Sequence, residues 1–202
     1  MQRCLLFVVI LYTVLGCQQD KQPLLGDTPF QRKMNAEFKD ATTSPLEPND
    51  LKEFRALDFF PYDSSFMVRA KLKRTPDAEW FQMKTTTDRL SKERVYGVLS
   101  FSIEGQPYTL KVYQGEEEMN TPGSEDFLFL PFLDLTNGES TYGGGRYINL
   151  RVPPGDTLVV DFNEAYNPYC VYSEKYSCPI VPRENFLNLK VKAGLKMYRK
   201  TK

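Results

Sequence analysis

The chain contains no histidine. That absence removes the commonest general base, the commonest zinc ligand and the usual partner of a nucleophilic serine or cysteine. Ser–His–Asp and Cys–His catalysis, and zinc hydrolysis on imidazole ligands, are excluded whatever the fold. An excess of charge is missing too. The 26 Lys and Arg balance the 26 Asp and Glu, so no global field draws the protein to nucleic acid, and no such partner is expected. Cysteine is scarce, with four residues. The apolar run from Cys4 to Leu15 falls short of the roughly 20 residues that a permanent membrane helix needs.

That short run is instead read as targeting. Arg3 gives a positive start, the run follows, and Val14-Leu15-Gly16-Cys17 gives way abruptly to Gln18-Gln19-Asp20-Lys21. A small residue immediately before a cysteine resembles the lipobox of bacterial lipoproteins. The expectation is a signal peptide over 1–16, lipidation (palmitate) at Cys17 and a lipidated tether over 17–28. Two acyl chains make such an anchor stable. The membrane would then be a partner, and the protein would sit in the cell envelope outside the cytoplasm. The other reading is an ordinary secretory signal whose cysteine is incidental.

With 41% hydrophobic and 13% aromatic residues, the remainder can bury a core, and its length suits one β-rich domain over 29–202. Thr28 before Pro29 has the form of an N-cap and first-turn proline, and Phe30, Met34 and Phe38 recur at helical spacing, which predicts a helix over 29–39. A second short helix is predicted around Pro48 to Phe54. Beyond it the period changes to two. Phe66 to Leu72 and Trp80 to Lys84 alternate, and Val95, Gly97, Leu99, Phe101 and Ile103 form one face. Glu104-Gly105 predicts a hairpin into Tyr108, Leu110 and Val112. Further strands are expected at Phe127–Leu133, Arg146–Val152, Leu158–Phe162 and Leu187–Lys192. The fold class is therefore mainly β, an antiparallel sandwich or barrel-like sheet with one or two short N-terminal helices. The basic C-terminal residues are read as a solvated tail.

Unusual chemistry concentrates between Asp134 and Asn185. Gly143-Gly144-Gly145-Arg146 could cradle an anion through backbone N–H groups, but a strand follows where a helix would lend its dipole, so the glycines fit a turn or close backbone approach better. Asp161, Asn163 and Glu164 are oxygen ligands without the glycine and downstream acid of a calcium loop, and no metal or cofactor is expected. Outside the cytoplasm, Cys170 and Cys178 form a candidate disulfide. Reduced structural thiols and redox chemistry stay open beside it.

These segments carry a resemblance. Thr141-Tyr142-Gly143-Gly144-Gly145-Arg146-Tyr147, the stretch from Asp161 through Asn167-Pro168-Tyr169 to Cys170, and Cys178-Pro179-Ile180-Val181-Pro182-Arg183-Glu184-Asn185 resemble three signatures of the domain-of-unknown-function 1684 family. Thr85-Thr86-Thr87-Asp88 is similar to a fourth segment of it. The family implies an identity and no activity. The polar residues expected to converge are Asp134, Arg146, Asp161, Asn163, Asn167 and Asn185, with Tyr142, Tyr147, Tyr166 and Tyr169 as an aromatic rim. A buried network that only holds strands in place accounts for the same polar set. Two functions follow: a non-catalytic module binding a small ligand or envelope component, or a hydrolase using Asp134 or Asp161, with glycans as the substrate class.

Overall fold

The computed structural model describes residues 25–199. The leader, Cys17 and most of the tether lie outside the described residues.

The expected helices form. Helix α1 (Pro29–Lys39) starts where Thr28 accepts a hydrogen bond from the Gln31 N–H at 3.2 Å, and α2 (Pro48–Glu53) also opens on proline. Helix α1 buries Met34 and Phe38 against Leu46, Leu57, Tyr172 and Leu195, which fixes it to the C-terminal part of the chain. Burying one Phe of this kind contributes about 1.5–3 kcal/mol.

Six antiparallel strands make a curled half-barrel. They are β1 (Met67–Arg74), β3 (Leu90–Ile103), β4 (Gln106–Gly115), β5 (Phe127–Asp134), β6 (Arg146–Arg151) and β7 (Thr157–Asp161), in the order β6-β5-β4-β3-β1-β7. Two shorter strands sit off this path: β2 (Phe81–Lys84) pairs with β3, and β8 (Phe186–Leu187) pairs parallel with β5. The β6 edge also bridges to the segment that follows β7, where Tyr147 and Tyr166 exchange backbone hydrogen bonds of 2.9 and 3.0 Å. The hairpin is as expected. Glu104 and Gly105 both take positive φ (51° and 76°), as a two-residue turn between right-twisted strands requires.

The main core follows the alternation, with Val68, Ala70 and Leu72 of β1 facing Leu99, Phe101 and Ile103 of β3 and Leu128, Leu130 and Phe132 of β5. Two expectations need correction. A β-bulge between Val95 and Gly97 breaks the five-residue face, so Val95 packs instead with Met83, Tyr113 and Phe129. The strand expected at Leu187–Lys192 ends at Leu187; beyond it the Leu189 carbonyl accepts from the Leu135 N–H, and the side chains of Arg146 and Asp134 satisfy the backbone of Val191.

Glu93 is buried in β3. Its Oε1 accepts from the Ser91 hydroxyl at 2.8 Å, and its Oε2 has no partner. Burial, reinforced by the charge of Glu118, raises its pKa from 4.5 to about 7. A carboxyl raised in the folded state is neutral in both states below 4.5, so stability is full there and falls as pH rises through 7. Glu93→Gln should flatten that fall. Urea denaturation should show the variant ahead of wild type by on the order of 2–3 kcal/mol at pH 8 and level with it at pH 4.

Candidate functional site

The six polar residues expected to converge do not form one site. Arg146 and Asp134 do meet, at 2.8 Å, but both side chains are fully buried. One guanidinium nitrogen donates to Asp134 and to the Val191 carbonyl at 2.9 Å, and the other donates to the carbonyls of Ala193 and Leu195. Asp134 also accepts from the N–H groups of Thr136 and Val191. The guanidinium lies over the Phe132 ring, 5.2 Å from its centroid. Nothing of this pair is presented to solvent.

The glycine loop serves the same closure. Gly145 has φ +91°, and a Cβ there would sit 2.6 Å from the Phe132 carbonyl oxygen. Close backbone approach, not an anion cradle, explains it.

The other four residues are local staples. Asp161 caps the turn that follows β7 by accepting from Asn163 N–H at 2.9 Å, while the Asn163 amide exchanges hydrogen bonds with the backbone of Asp63. Asn167 donates to Tyr172 Oη and to the Lys196 carbonyl. Asn185 is wholly buried; its amide accepts from Lys111 N–H and donates to the carbonyls of Lys111 and Pro131. Strands β4 and β5 pair only at Tyr113 and Phe129, so this side chain stands in for the missing backbone ladder.

The aromatic residues do build a cleft. About 440 Å³ opens between α1 and the β6 edge, lined by Tyr147, Tyr166, Tyr169 and Tyr176, with Cys178 among its walls. That volume falls within the ordinary range for small-molecule sites, about 300–1,000 Å³. Tyr147 packs edge-on against Phe129 (4.7 Å between centroids) and Tyr166 (5.9 Å), and Tyr169 packs against Tyr176 (5.3 Å). Tyr166 donates its hydroxyl to Asn149 Oδ1 at 2.6 Å. Tyr147 donates to the Pro179 carbonyl, and burial raises its phenol pKa further above the usual 10. Helix α1 supplies Lys33, Met34 and Glu37. Of the lining side chains only Glu37 is a carboxylate. Asp161 opens instead on a separate groove with Asp27 and Glu164. Tyr142 is not a wall of the tyrosine cleft; its ring covers Gly144.

The expected disulfide is not formed. Cys170 and Cys178 are free thiols, and Cys170 N–H donates to Cys178 Sγ at 3.2 Å. The Cys178 thiol hydrogen-bonds to the Cys170 sulfur, and this bond outweighs burial and lowers the Cys170 pKa from 9.0 to about 6; Thr86 adds a smaller contribution. The Cys178 thiol is correspondingly pushed up.

Sequence reasoning missed Lys33, Glu37, Asn149 and Tyr176. For the first two the exposed edge of α1 was the available signal, since Lys33 and Glu37 are spaced i,i+4 beside the buried stripe; Asn149 and Tyr176 left none.

The described residues form a mainly β fold, a curled antiparallel half-barrel with a tyrosine-walled cleft at its edge. The chain belongs to a family described as a protein of unknown function (DUF1684), whose model matches residues 52–196. It is similar to an uncharacterized protein of Haloarcula marismortui, solved by solution NMR, at 31% identity and a TM-score of 0.64, covering 82% of this chain and 89% of that one. No curated protein matches it. The α1 wall of the cleft precedes the stretch that the family model matches. Among the described residues, no helix is long and apolar enough to cross a membrane.

Proposed function

We propose that the protein is an exported lipoprotein, tethered to an envelope membrane through lipid on Cys17, and that its domain is a non-catalytic module binding a small envelope ligand in the tyrosine cleft. The observation that carries the binding part is the cleft itself: four tyrosines, one lysine and one carboxylate around an open volume of about 440 Å³. Such walls suit a ligand with a flat apolar face and polar groups on its edge, since tyrosine offers both a ring and a hydroxyl. The geometry favours binding over carboxylate hydrolysis. Asp134 is sealed in an ion pair, and the cleft brings one acid where the two-carboxylate mechanism needs two.

Asn149→Trp tests the cleft, because Asn149 is exposed on β6 and a large ring there fills the opening without entering the core. Native mass spectrometry of protein extracted from membranes should show a small-molecule adduct on wild type and at least a tenfold lower fraction on Asn149→Trp, with the melting temperature little changed. No adduct on wild type, or equal adduct on both, overturns the binding reading. Cys17→Ser tests the tether separately and should move the protein from the membrane fraction to the supernatant. If it stays with the membrane and wild type carries no acyl mass on that residue, the lipoprotein reading is wrong.

A further inference from the structure

The cleft wall holds chemistry that the binding reading does not use. Cys170 and Cys178 are free thiols brought into contact, with the Cys170 N–H donating to Cys178 Sγ at 3.2 Å. Seven residues separate them in the loop, unlike the two of the C-x-x-C redox motif, so a specific fold must bring them together. A short helical turn at Tyr169–Val171 does so, followed by turns in which the Ser173 N–H reaches the Tyr169 carbonyl and the Tyr176 N–H reaches Ser173.

A second segment then holds the pair. Thr86 N–H donates to the Cys178 carbonyl at 2.9 Å, and Cys178 N–H donates to Thr86 Oγ1 at 3.1 Å. Thr85 and Thr87 both bond the Ser177 hydroxyl, at 2.8 and 2.6 Å, and Arg89 donates to Ser177 Oγ and to its carbonyl. The Thr85–Arg89 segment, which continues β2 and bridges to Pro179, thus anchors Ser177 and Cys178 and fixes the Cys178 end of the pair. The surroundings of the two sulfurs also differ. Cys178 is buried, whereas Cys170 is only half-buried and is the one open to a co-reactant. The more open sulfur is the one an external disulfide can reach, and the lowering of its pKa favours the thiolate, the form that attacks a disulfide.

We infer that Cys170 and Cys178 form a thiol–disulfide exchange pair, with Cys170 as the attacking sulfur and Cys178 as the resolving one, and with a small or peptidic disulfide as the co-reactant. The Cys170 thiolate attacks one sulfur of RS–SR, forming a mixed disulfide and releasing RS⁻. Cys178 gives its proton to that thiolate and attacks the Cys170 sulfur, expelling the second RS⁻, which takes its proton from water. One external disulfide is reduced to two thiols while the protein dithiol loses two electrons. The thiol state in the structure is the reduced end of this couple. The inference goes beyond the cleft-binding reading and does not need it, because exchange is read with no ligand present.

The test treats the full chain with oxidised glutathione, quenches with acid and digests with trypsin. Cleavage after Arg151, Lys175 and Arg183 places the two cysteines on separate peptides, so the oxidised protein yields a reducible cross-link between Val152–Lys175 and Tyr176–Arg183. Wild type should give that cross-link and lose it on treatment with dithiothreitol. Cys178→Ser should trap glutathione on Cys170 at least tenfold faster than Cys170→Ser traps it on Cys178. Absence of the cross-link in folded wild type overturns the proposal even if both variants misfold. Equal trapping rates overturn the division of labour. Retention of the cleft adduct with no exchange removes this inference and leaves the binding reading standing, and the reverse result does the opposite.

Discussion

Asp134→Ala should lower stability by about 3–5 kcal/mol, because it leaves the Arg146 guanidinium buried without its counter-charge. For a domain of this size the melting temperature should fall on the order of 10 °C, readable by calorimetry. The second half of the expectation separates this pair from an ordinary buried salt bridge. Many such pairs can be exchanged for apolar residues of similar volume with little loss or with gain. Here the Asp134→Leu, Arg146→Met double variant should remain at least as unstable as the single one. The guanidinium also donates to the carbonyls of Val191, Ala193 and Leu195, and Asp134 also accepts from Thr136 and Val191. Methionine and leucine satisfy none of these, and each orphaned group costs about 1–3 kcal/mol. Recovery of the wild-type melting temperature in the double variant would show that the C-terminal segment does not depend on this staple.

The same arrangement explains where sequence reading succeeded and where it stopped. Helix α1 was legible because its cap, its proline and its apolar stripe are local, and the Glu104-Gly105 turn was legible because two positive φ values narrow the choice of residues. The meeting of Arg146 with Asp134 was among the expectations, but the other partners of Arg146 were not legible. They are backbone carbonyls some 45 to 49 positions away, and a carbonyl leaves no trace in residue identity. A polar residue that serves distant backbone therefore looks in sequence like one that awaits a ligand. The cleft was half legible for a related reason. Tyr147, Tyr166 and Tyr169 fall within the recognisable segments, but the opposite wall comes from α1, and the contact exists only because Phe38 docks beside Tyr172. The thiol pair was visible as two cysteines, and its oxidation state was not.

Asn185 offers the sharpest case, since Asn185→Asp changes almost nothing in shape. The aspartate keeps an acceptor for the Lys111 N–H but loses both donors to the carbonyls of Lys111 and Pro131. Two buried carbonyl oxygens then face a carboxylate oxygen instead of an N–H, and the cost should be about 3–5 kcal/mol at neutral pH, from roughly 1–3 kcal/mol per orphaned group plus repulsion. The loss should depend on pH. Burial among carbonyls raises the pKa of the introduced acid above its unfolded value. Below that unfolded value, about 3.9, the acid is neutral in both states and its O–H restores one of the lost donors. As pH climbs through the raised folded value, the charged form is disfavoured in the fold and stability drains away. Urea denaturation should therefore find variant and wild type closer at pH 4 than at pH 8. An equal gap at both would mean that the amide does not bridge β4 and β5. The consequence reaches the cleft, because those strands meet at Tyr113 and Phe129, and Phe129 supports Tyr147. Loosening the bridge should quicken hydrogen exchange at Lys111 first and then at Phe129, carrying the damage from a buried amide to the tyrosine wall of the cleft.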